Sequence, residues 1–326
     1  MPGEATAASA GYYFPVSPLL LFPQSRGDFG VYLRLSDRYM LWAHPDEPFS
    51  AQNLKNLSAN GVEEVYVLTA HREQFEAYLE RNLGQVLSDD ATPMAARAKV
   101  FYNASVGLVK EVFHNRLPAS LGVEQHQKLL RFATLGVRFL LREDSIKSLA
   151  SLISHHYQTY SHCVHVFVYA TAMLGRLGLD EETMVQTGLG ALLHDIGKTK
   201  ITRKILDKPG KLTESERAQV QAHPVLGAGL CAQVPLSHAA LNGILFHHER
   251  VDGGGYPAGL SGPDIPLPVK VLAVADVYDA LVSKRAYAPA RAAFDALSVM
   301  RQELDKHLDP EAYRELVLVL SGAEIV

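Results

Sequence analysis

The residues best suited to chemistry are histidines and aspartates in the C-terminal half of the chain. His194 and Asp195 stand side by side at the end of an apolar run that begins near Met184, and Lys198 follows within one turn. Neighbouring residues on a helix point about 100° apart, so this pair can hold one metal ion from two sides, or Asp195 can bridge two ions. An isolated His-Asp pair is more often a cap or an ion pair, so its meaning depends on the groups that accompany it.

Further candidate ligands accompany this pair in the same half of the chain. Imidazole and carboxylate groups together favour iron, manganese, zinc or nickel over magnesium or calcium. So many polar side chains in a helical core are costly unless an ion satisfies them. The set is larger than one tetrahedral ion can bind, so the pattern predicts at least two metal ions. The candidate ligands are His162, His194, Asp195, His223, His247, His248 and Asp276.

Two other polar residues lie beside this set without joining it. His165 follows His162 by three residues and could share its helix face, but a hydrogen-bonded core histidine is the favoured interpretation. Asp279 could serve as a general acid, but the sequence favours a structural role in which it stabilises a helix.

A second signal is a glycine loop, residues 252–260, which reads Asp-Gly-Gly-Gly-Tyr-Pro-Ala-Gly-Leu. Three consecutive glycines are incompatible with a helix and predict a flexible turn whose backbone can approach a ligand or a partner closely. Alone, such a loop would be an ordinary surface loop. Because it follows His247 and His248 directly, we interpret it as one lip of a pocket.

The composition excludes several classes of protein. The chain has 326 residues with a formal net charge of −4 and no long basic run, so duplex nucleic acid is not an expected partner. Cys163 and Cys231 do not make a disulfide framework, which favours a reducing, cytoplasmic compartment. No apolar stretch reaches the roughly 18–20 residues of a membrane span. The first residues lack the lysine or arginine of a signal peptide, so none is expected.

The hydrophobic pattern predicts an α+β chain with three parts. Strand-like runs at 29–35, 39–42 and 62–69, with helical patterns after Ser50 and over 71–87, predict a small mixed α/β regulatory or interaction module over 1–88. Residues 89–145 read as a helical linker and dimerisation region. Residues 146–326 read as an all-helical catalytic domain.

Taken together, these motifs resemble the HD-GYP family, a branch of the HD phosphohydrolase superfamily. The resemblance covers the chain from about residue 146 onward, and the order and spacing of the motifs make it specific. The matching segments are 194–198, 247–249, 252–260, 265–266, 276–281 and 308–310.

The resemblance implies an all-helical domain that hydrolyses the bacterial second messenger cyclic di-GMP. It implies two divalent transition-metal ions, iron first, with manganese, nickel or zinc as alternatives, held by the seven ligands above. His194, Asp195 and Lys198 are the implied catalytic residues, with Asp195 bridging the ions and Lys198 reaching a substrate phosphate. The other implied substrate contacts are Arg285, Gly255, Tyr256 and Pro257.

Two other functions remain open at this point. The domain could be a non-catalytic receptor or docking module that binds a diguanylate cyclase through the glycine loop. It could also hydrolyse a different cyclic dinucleotide, because the sequence does not identify the base. A complete ligand set favours catalysis, since a scaffold has no need to retain it. The expected product is linear pGpG, with GMP as the product of a second cut.

A first prediction concerns the number of metal ions. Three-metal members of the family carry a glutamate four residues before the first histidine, a spacing that puts both side chains on one helix face. Here that position is Gln158, a neutral and poor ligand, so we expect two metal ions and mainly pGpG. Metal analysis and product chromatography of Gln158→Glu should show occupancy rising toward three and product shifting to GMP. Three ions in the unaltered chain would contradict this expectation; Glu249 or Asp252, for instance, could supply a carboxylate ligand for the third ion.

Overall fold

The computed structural model describes residues 12–16, 18–36, 38–62, 64–114, 120–150, 159–283 and 290–325. The chain divides into two compact units, Met1–Ala104 and Ser105–Val326. The described part is mostly helical, with an antiparallel sheet confined to the first unit, which agrees with the predicted α+β class. The predicted limits at residues 88 and 145 stay predictions.

The first unit is built on a four-stranded antiparallel sheet with the order β1-β4-β2-β3. Three strands were predicted, but β1 was not, because its four residues include a proline. An edge strand tolerates Pro15, since one side of it needs no donor. The strands are β1 (Tyr13–Val16), β2 (Val31–Leu35), β3 (Arg38–Ala43) and β4 (Val65–Leu68).

One face of this sheet is buried, as the alternation of β4 requires: Val65 and Val67 are fully buried, whereas Tyr66 between them is not. Tyr78 completes this core, and its hydroxyl accepts a hydrogen bond from the Phe22 amide at 2.7 Å. The helices of this part of the chain are α1 (Ala51–Ala59), α2 (Arg72–Ser88) and α3 (Met94–His114).

In the described residues of the second unit, the regular secondary structure is helical apart from one isolated bridge between Asp252 and Ser261, and loops join the helices. No helix of the described residues could cross a lipid bilayer. The helices are α4 (Val123–Leu140), α5 (Ser145–Ala150), α6 (Thr159–Arg176), α7 (Glu181–Leu193), α8 (Arg203–Leu206), α9 (Glu214–Gln221), α10 (His223–Leu230), α11 (His238–Phe246), α12 (Leu267–Val282), α13 (Ala293–Glu303) and α14 (Pro310–Gly322).

The core of this unit consists of α6, α7 and α12, which are buried on nearly all sides. A helix that is apolar all round belongs in the interior. α6 packs against α7 and α12, and α7 also packs against α4 and α11. Caps fix where the helices begin: the Asp180 side chain accepts from the Thr183 amide at the start of α7, and the Ser237 hydroxyl accepts from the Ala240 amide at the start of α11.

Two glycines let α7 and α11 approach each other closely. A Cβ added to Gly190 would lie 2.9 Å from the Ala240 carbonyl oxygen and 3.4 Å from the Gly243 Cα. A Cβ added to Gly243 would lie 3.3 Å from the Gly190 Cα. The two backbones are therefore in contact, which brings the ends of these helices to one place.

A second prediction follows from this contact. Gly190→Ala should lower the free energy of unfolding by about 1–3 kcal/mol, because the new methyl group meets backbone that cannot move aside. Gly229→Ala is the matched control, since Gly229 is exposed on α10 with nothing within 4 Å. It should raise the stability by about 0.5–1 kcal/mol. Denaturant unfolding measures both, and equal effects would show that α7 and α11 are not held this closely.

Candidate metal centre

Five helices bring the seven predicted ligands together in the second unit. His194 is the C-terminal cap of α7 and Asp195 follows it; His247 is the C-terminal cap of α11 and His248 follows it. His223 begins α10. The ligands from the middle of helices are His162 on α6 and Asp276 on α12. Except for His248, all of these residues are buried.

Three of the histidines are fixed by the backbone. In each, Nδ1 lies within hydrogen-bond distance of a carbonyl oxygen three residues earlier. A carbonyl only accepts, so Nδ1 carries the proton and Nε2 keeps its lone pair for a metal ion. The pairs are His194 with Ala191 (2.7 Å), His223 with Val220 (2.7 Å) and His247 with Ile244 (3.0 Å).

A fourth histidine is fixed by a carboxylate. The Asp279 carboxylate on α12 lies 2.7 Å from His162 Nδ1 and 2.8 Å from His165 Nδ1. Burial alone would raise the pKa of Asp279, but the two histidines outweigh it and lower the pKa below its usual range. Asp279 therefore links α12 to α6 and orients His162, rather than only stabilising its own helix. His165 has the hydrogen-bonded core role that the sequence favoured.

The arrangement leaves polar atoms that need a cation. His223 Nε2 lies 3.0 Å from His247 Nε2, although both rings carry their proton on Nδ1, so two lone pairs face each other. His194 Nε2 and Asp195 Oδ1 are buried and form no hydrogen bond with any described residue. Such atoms are costly in a protein interior. A metal ion would satisfy them, so the residues fit the metal that the sequence predicted.

The ligands fall into two groups with Asp195 between them. His223, His247 and His248 form one group, and His162, His194 and Asp276 form the other. Asp195 Oδ1 lies 3.3 Å from His223 Nε2, whereas Asp195 Oδ2 lies 3.6 Å from His194 Nε2. One carboxylate thus presents an oxygen to each group.

A protein-family comparison agrees with this site. The family described as HD domain matches residues 141–312, which is more than half of the chain and includes all seven ligands. The chain belongs to the HD domain family. The resemblance to the HD-GYP branch, drawn from the motifs, is confirmed.

Curated relatives of this HD domain are bacterial phosphodiesterases. A cyclic di-GMP phosphodiesterase of Pseudomonas aeruginosa is 40% identical over 181 residues, which cover 55% of this chain and 43% of that protein. A 3′3′-cGAMP-specific phosphodiesterase of Vibrio cholerae is 35% identical over 163 residues, which cover 50% of this chain and 35% of that protein. The chain therefore spans less than half the length of these relatives.

The fold also matches a solved structure. An HDG"Y"P protein from Bdellovibrio bacteriovorus aligns with a TM-score of 0.65 and covers 95% of this chain and 100% of its own. The sequence identity is 20%, so this likeness concerns the fold.

In the HD domain, the turn after α7 packs directly against α10. A Cβ on Gly197 would lie 1.9 Å from the His223 carbonyl oxygen, so only glycine fits between the two ligand segments. In the same turn, the Lys198 ammonium lies 2.6 Å from Asp195 Oδ2. Lys198 is therefore at the centre, as expected, and its contact with a substrate phosphate stays a prediction.

The charge states of the HD-domain ligands suit metal binding. Burial lowers the pKa of His194, and it lowers the pKa of His247 well below the usual value, so both imidazoles are neutral. Burial alone would raise the pKa of Asp195 and of Asp276, but neighbouring groups outweigh it. The Lys198 ammonium lowers the pKa of Asp195, and a hydrogen bond with His162 lowers the pKa of Asp276. Both carboxyl groups stay ionised, and neutral imidazole with ionised carboxylate is the form that binds a metal.

Sequence reasoning missed one neighbour of the HD motif. The Cys163 sulfur lies within 4.8 Å of ligand atoms of His194 and Asp195. Burial raises the pKa of the Cys163 thiol well above its usual value. The residue type was visible in the sequence, but it was assessed only for disulfide formation.

The glycine loop packs against the centre and is less free than three glycines suggest. The Tyr256 ring stacks on the His248 ring, with centroids 4.8 Å apart and planes at 29°. A Cβ on Gly255 would lie 2.5 Å from the Glu249 Cα, so the predicted close approach of the backbone is present. Pro257 is exposed. Gly255 and Tyr256 thus lie beside a ligand, while their contact with substrate stays a prediction.

Four further residues of the sequence analysis concern the HD-GYP motifs. Glu249 and Asp252, considered as ligands for a third ion, have other partners: Glu249 accepts hydrogen bonds from the glycine loop, and Asp252 accepts one from Arg250 Nε at 3.0 Å. Arg285 and Gln158 lie outside the described residues.

A third prediction concerns Asp279. Asp279→Asn puts an amide group where two histidine N–H groups need acceptors, so His162 should favour the tautomer that protonates Nε2. Loss of such a supporting carboxylate costs about 10–100-fold in metal affinity. Titration of the metal-free full chain with Mn²⁺ measures the change. Asp305→Asn, an exposed aspartate paired with Arg301, is the matched control. Equal affinities in the two variants would contradict the orienting role.

Proposed function

We propose that this chain is a metal-dependent phosphodiesterase that hydrolyses cyclic di-GMP to linear pGpG, with GMP as the product of a second cut. The observation that carries the proposal is a set of buried lone pairs without a donor among the described residues. They belong to His194 Nε2, Asp195 Oδ1 and the facing Nε2 atoms of His223 and His247, and two metal ions would satisfy them. The names of the relatives support the phosphodiester substrate.

The proposed centre contains two divalent ions. His223, His247 and His248 would hold one, His162, His194 and Asp276 would hold the other, and Asp195 would bridge them. Mixed imidazole and carboxylate ligands favour iron, with manganese, nickel or zinc as alternatives.

Bound ions of this kind supply an activated water molecule near neutral pH and neutralise charge on the reacting phosphoryl group. The chain's own residues would bind and orient the substrate. Lys198 would turn from Asp195 toward a non-bridging phosphate oxygen, and Arg285 would bind a second oxygen through its planar guanidinium group. Water would attack the phosphorus in line with the ribose 3′-oxygen and form a new P–O bond. The bond between phosphorus and the 3′-oxygen would break, and that oxygen would leave as a hydroxyl group after taking up a proton from the water, which opens the ring.

The glycine loop would close one side of the substrate site. Tyr256 already lies on a ligand ring, and Gly255 and Pro257 flank it, so a nucleotide bound at the ions would meet this loop. One relative is named as specific for 3′3′-cGAMP, so that dinucleotide is the alternative substrate.

For the remainder of the chain we propose a regulatory role in the cytoplasm. The mixed α/β module would receive a signal or a partner, and the helices of residues 89–145 would mediate homodimerisation.

A docking function is the second candidate, and one observation favours it. Residues 257–259 of the glycine loop are exposed at its tip, where a diguanylate cyclase could bind. The same loop can serve catalysis and docking, so the two functions differ only in whether turnover occurs.

The fourth prediction tests the proposed function. The full chain, purified without oxygen and loaded with Fe²⁺ or Mn²⁺, should convert cyclic di-GMP to pGpG. Chromatography measures the products, and 3′3′-cGAMP is assayed in parallel. The double variant His194→Ala, Asp195→Ala should lose metal and all turnover, because it removes ligands of both groups. His238→Ala, an exposed histidine at the start of α11, is the control and should retain both.

Each negative result has a definite meaning. Metal-loaded protein that cleaves neither dinucleotide would refute catalysis and leave docking as the function. Turnover of 3′3′-cGAMP alone would refute the proposed substrate but not the reaction.

A further inference from the structure

We infer that Glu249 is a positioning residue: it locks the glycine loop so that Tyr256 fixes the ring of His248. The inference rests on the proposed function only in taking His248 as a metal ligand. Glu249 follows His248 directly in the chain but points away from the ligand groups and into the loop.

The Glu249 carboxylate forms the interior of the glycine loop. Its Oε1 accepts hydrogen bonds from the amides of Ala258 at 2.7 Å and Gly259 at 3.1 Å, and its Oε2 accepts one from the amide of Leu260 at 3.0 Å. The residue is only 4% exposed, so water cannot replace these donors. Hydrogen bonds to an ionised acceptor are about twice as strong as neutral ones. Three such bonds hold the far limb of the loop to the residue beside His248.

The near limb of the loop is held at the same place. The Tyr256 amide donates to the His248 carbonyl oxygen at 3.3 Å, and Gly255 packs on the backbone of Glu249 without room for a side chain. Tyr256 lies between these two attachments. Its ring therefore has little freedom to leave the His248 ring.

His248 needs such a support more than the other histidines do. His194, His223 and His247 are each oriented by a backbone carbonyl, whereas the His248 ring forms no hydrogen bond with a described residue. Its nearest acidic neighbour is Asp276 Oδ2, 3.7 Å from Nδ1. The His248 side chain is also 26% exposed, against 1% or less for those three. Stacking by Tyr256 is thus the contact that can set its ring orientation.

Glutamine cannot replace Glu249 in this role. Its amide has one oxygen for three N–H donors, and its NH₂ group would face a donor instead of an acceptor. Glu249→Gln therefore keeps the shape of the side chain but loses its charge and at least one of the three hydrogen bonds that attach the loop.

The experiment is a Mn²⁺ titration of the metal-free full chain, combined with hydrogen exchange of the amides of residues 258–260. Glu249→Gln should speed exchange of these amides. It should also weaken binding of the most weakly held Mn²⁺ ion by about tenfold, the lower end of the loss in metal affinity when a residue that supports a ligand is changed. Tyr256→Leu should weaken it equally, whereas Tyr256→Phe keeps the ring and should bind as the unaltered chain does. The double variant should bind no worse than either single variant, because both act through one contact.

Glu311→Gln, an exposed glutamate at the start of α14, is the matched control. Three results would each overturn the inference: faster loop exchange in Glu249→Gln with the affinity of the control, unchanged affinity in Tyr256→Leu, or additive losses in the double variant. Tyr256→Leu leaves the carboxylate bonds in place, so unchanged affinity in that variant overturns the inference even if Glu249→Gln does not fold. A chain that binds Mn²⁺ but cleaves no cyclic dinucleotide would refute the proposed function without altering these affinities.

Discussion

The need to satisfy buried imidazoles at the ends of helices is the constraint on which the rest of the helical unit depends. The last carbonyl groups of any helix lack partners within it. In each of three helices such a carbonyl accepts a hydrogen bond from Nδ1 of a histidine just beyond the helix end. The histidines are His194 after α7, His223 after α9 and His247 after α11. One hydrogen bond thus satisfies the helix end, selects the tautomer and aims the Nε2 lone pair at the centre.

This arrangement requires helix ends to meet within a few ångströms, and glycine makes that possible. Gly190 and Gly243 bring α7 and α11 into backbone contact, and Gly197 lets the turn after α7 lie against the start of α10. A side chain at any of these positions would separate the segments that carry the candidate ligands. The apolar surfaces of α6, α7 and α12 supply stability, but these glycines set the distances between the ligand segments.

The seven candidate ligands could be named from the sequence, whereas most of the groups that orient them could not. The motifs of neighbouring residues are visible in the sequence alone, as for His194 with Asp195 and His247 with His248. The pairing of Asp279 with His162 and His165 joins residues more than a hundred positions apart, and no local pattern indicates it.

The same limit applies to the loop and the sheet. The triple glycine predicted a flexible turn, because the sequence does not show that Glu249, four residues before Gly253, accepts hydrogen bonds from the amides of residues 258–260. The strand β1 escaped prediction because Pro15 argues against a strand everywhere except at an edge, and edges are a property of the assembled sheet.

The net charge of the chain does not indicate an anionic substrate, because the positive charge of the site would come from bound ions. The chain carries a net charge of −4, and the ligand set with Lys198 adds two carboxylates and one ammonium, about −1 in all. A phosphodiester dianion would be repelled by such a site. Two divalent ions would raise the local charge to about +3, and bound ions are often the largest charges in a site. Attraction for the proposed substrate would therefore come from the ions and not from the surface of the chain. A basic patch is thus neither needed nor predicted, and the residues that would hold the ions decide the charge that the substrate meets.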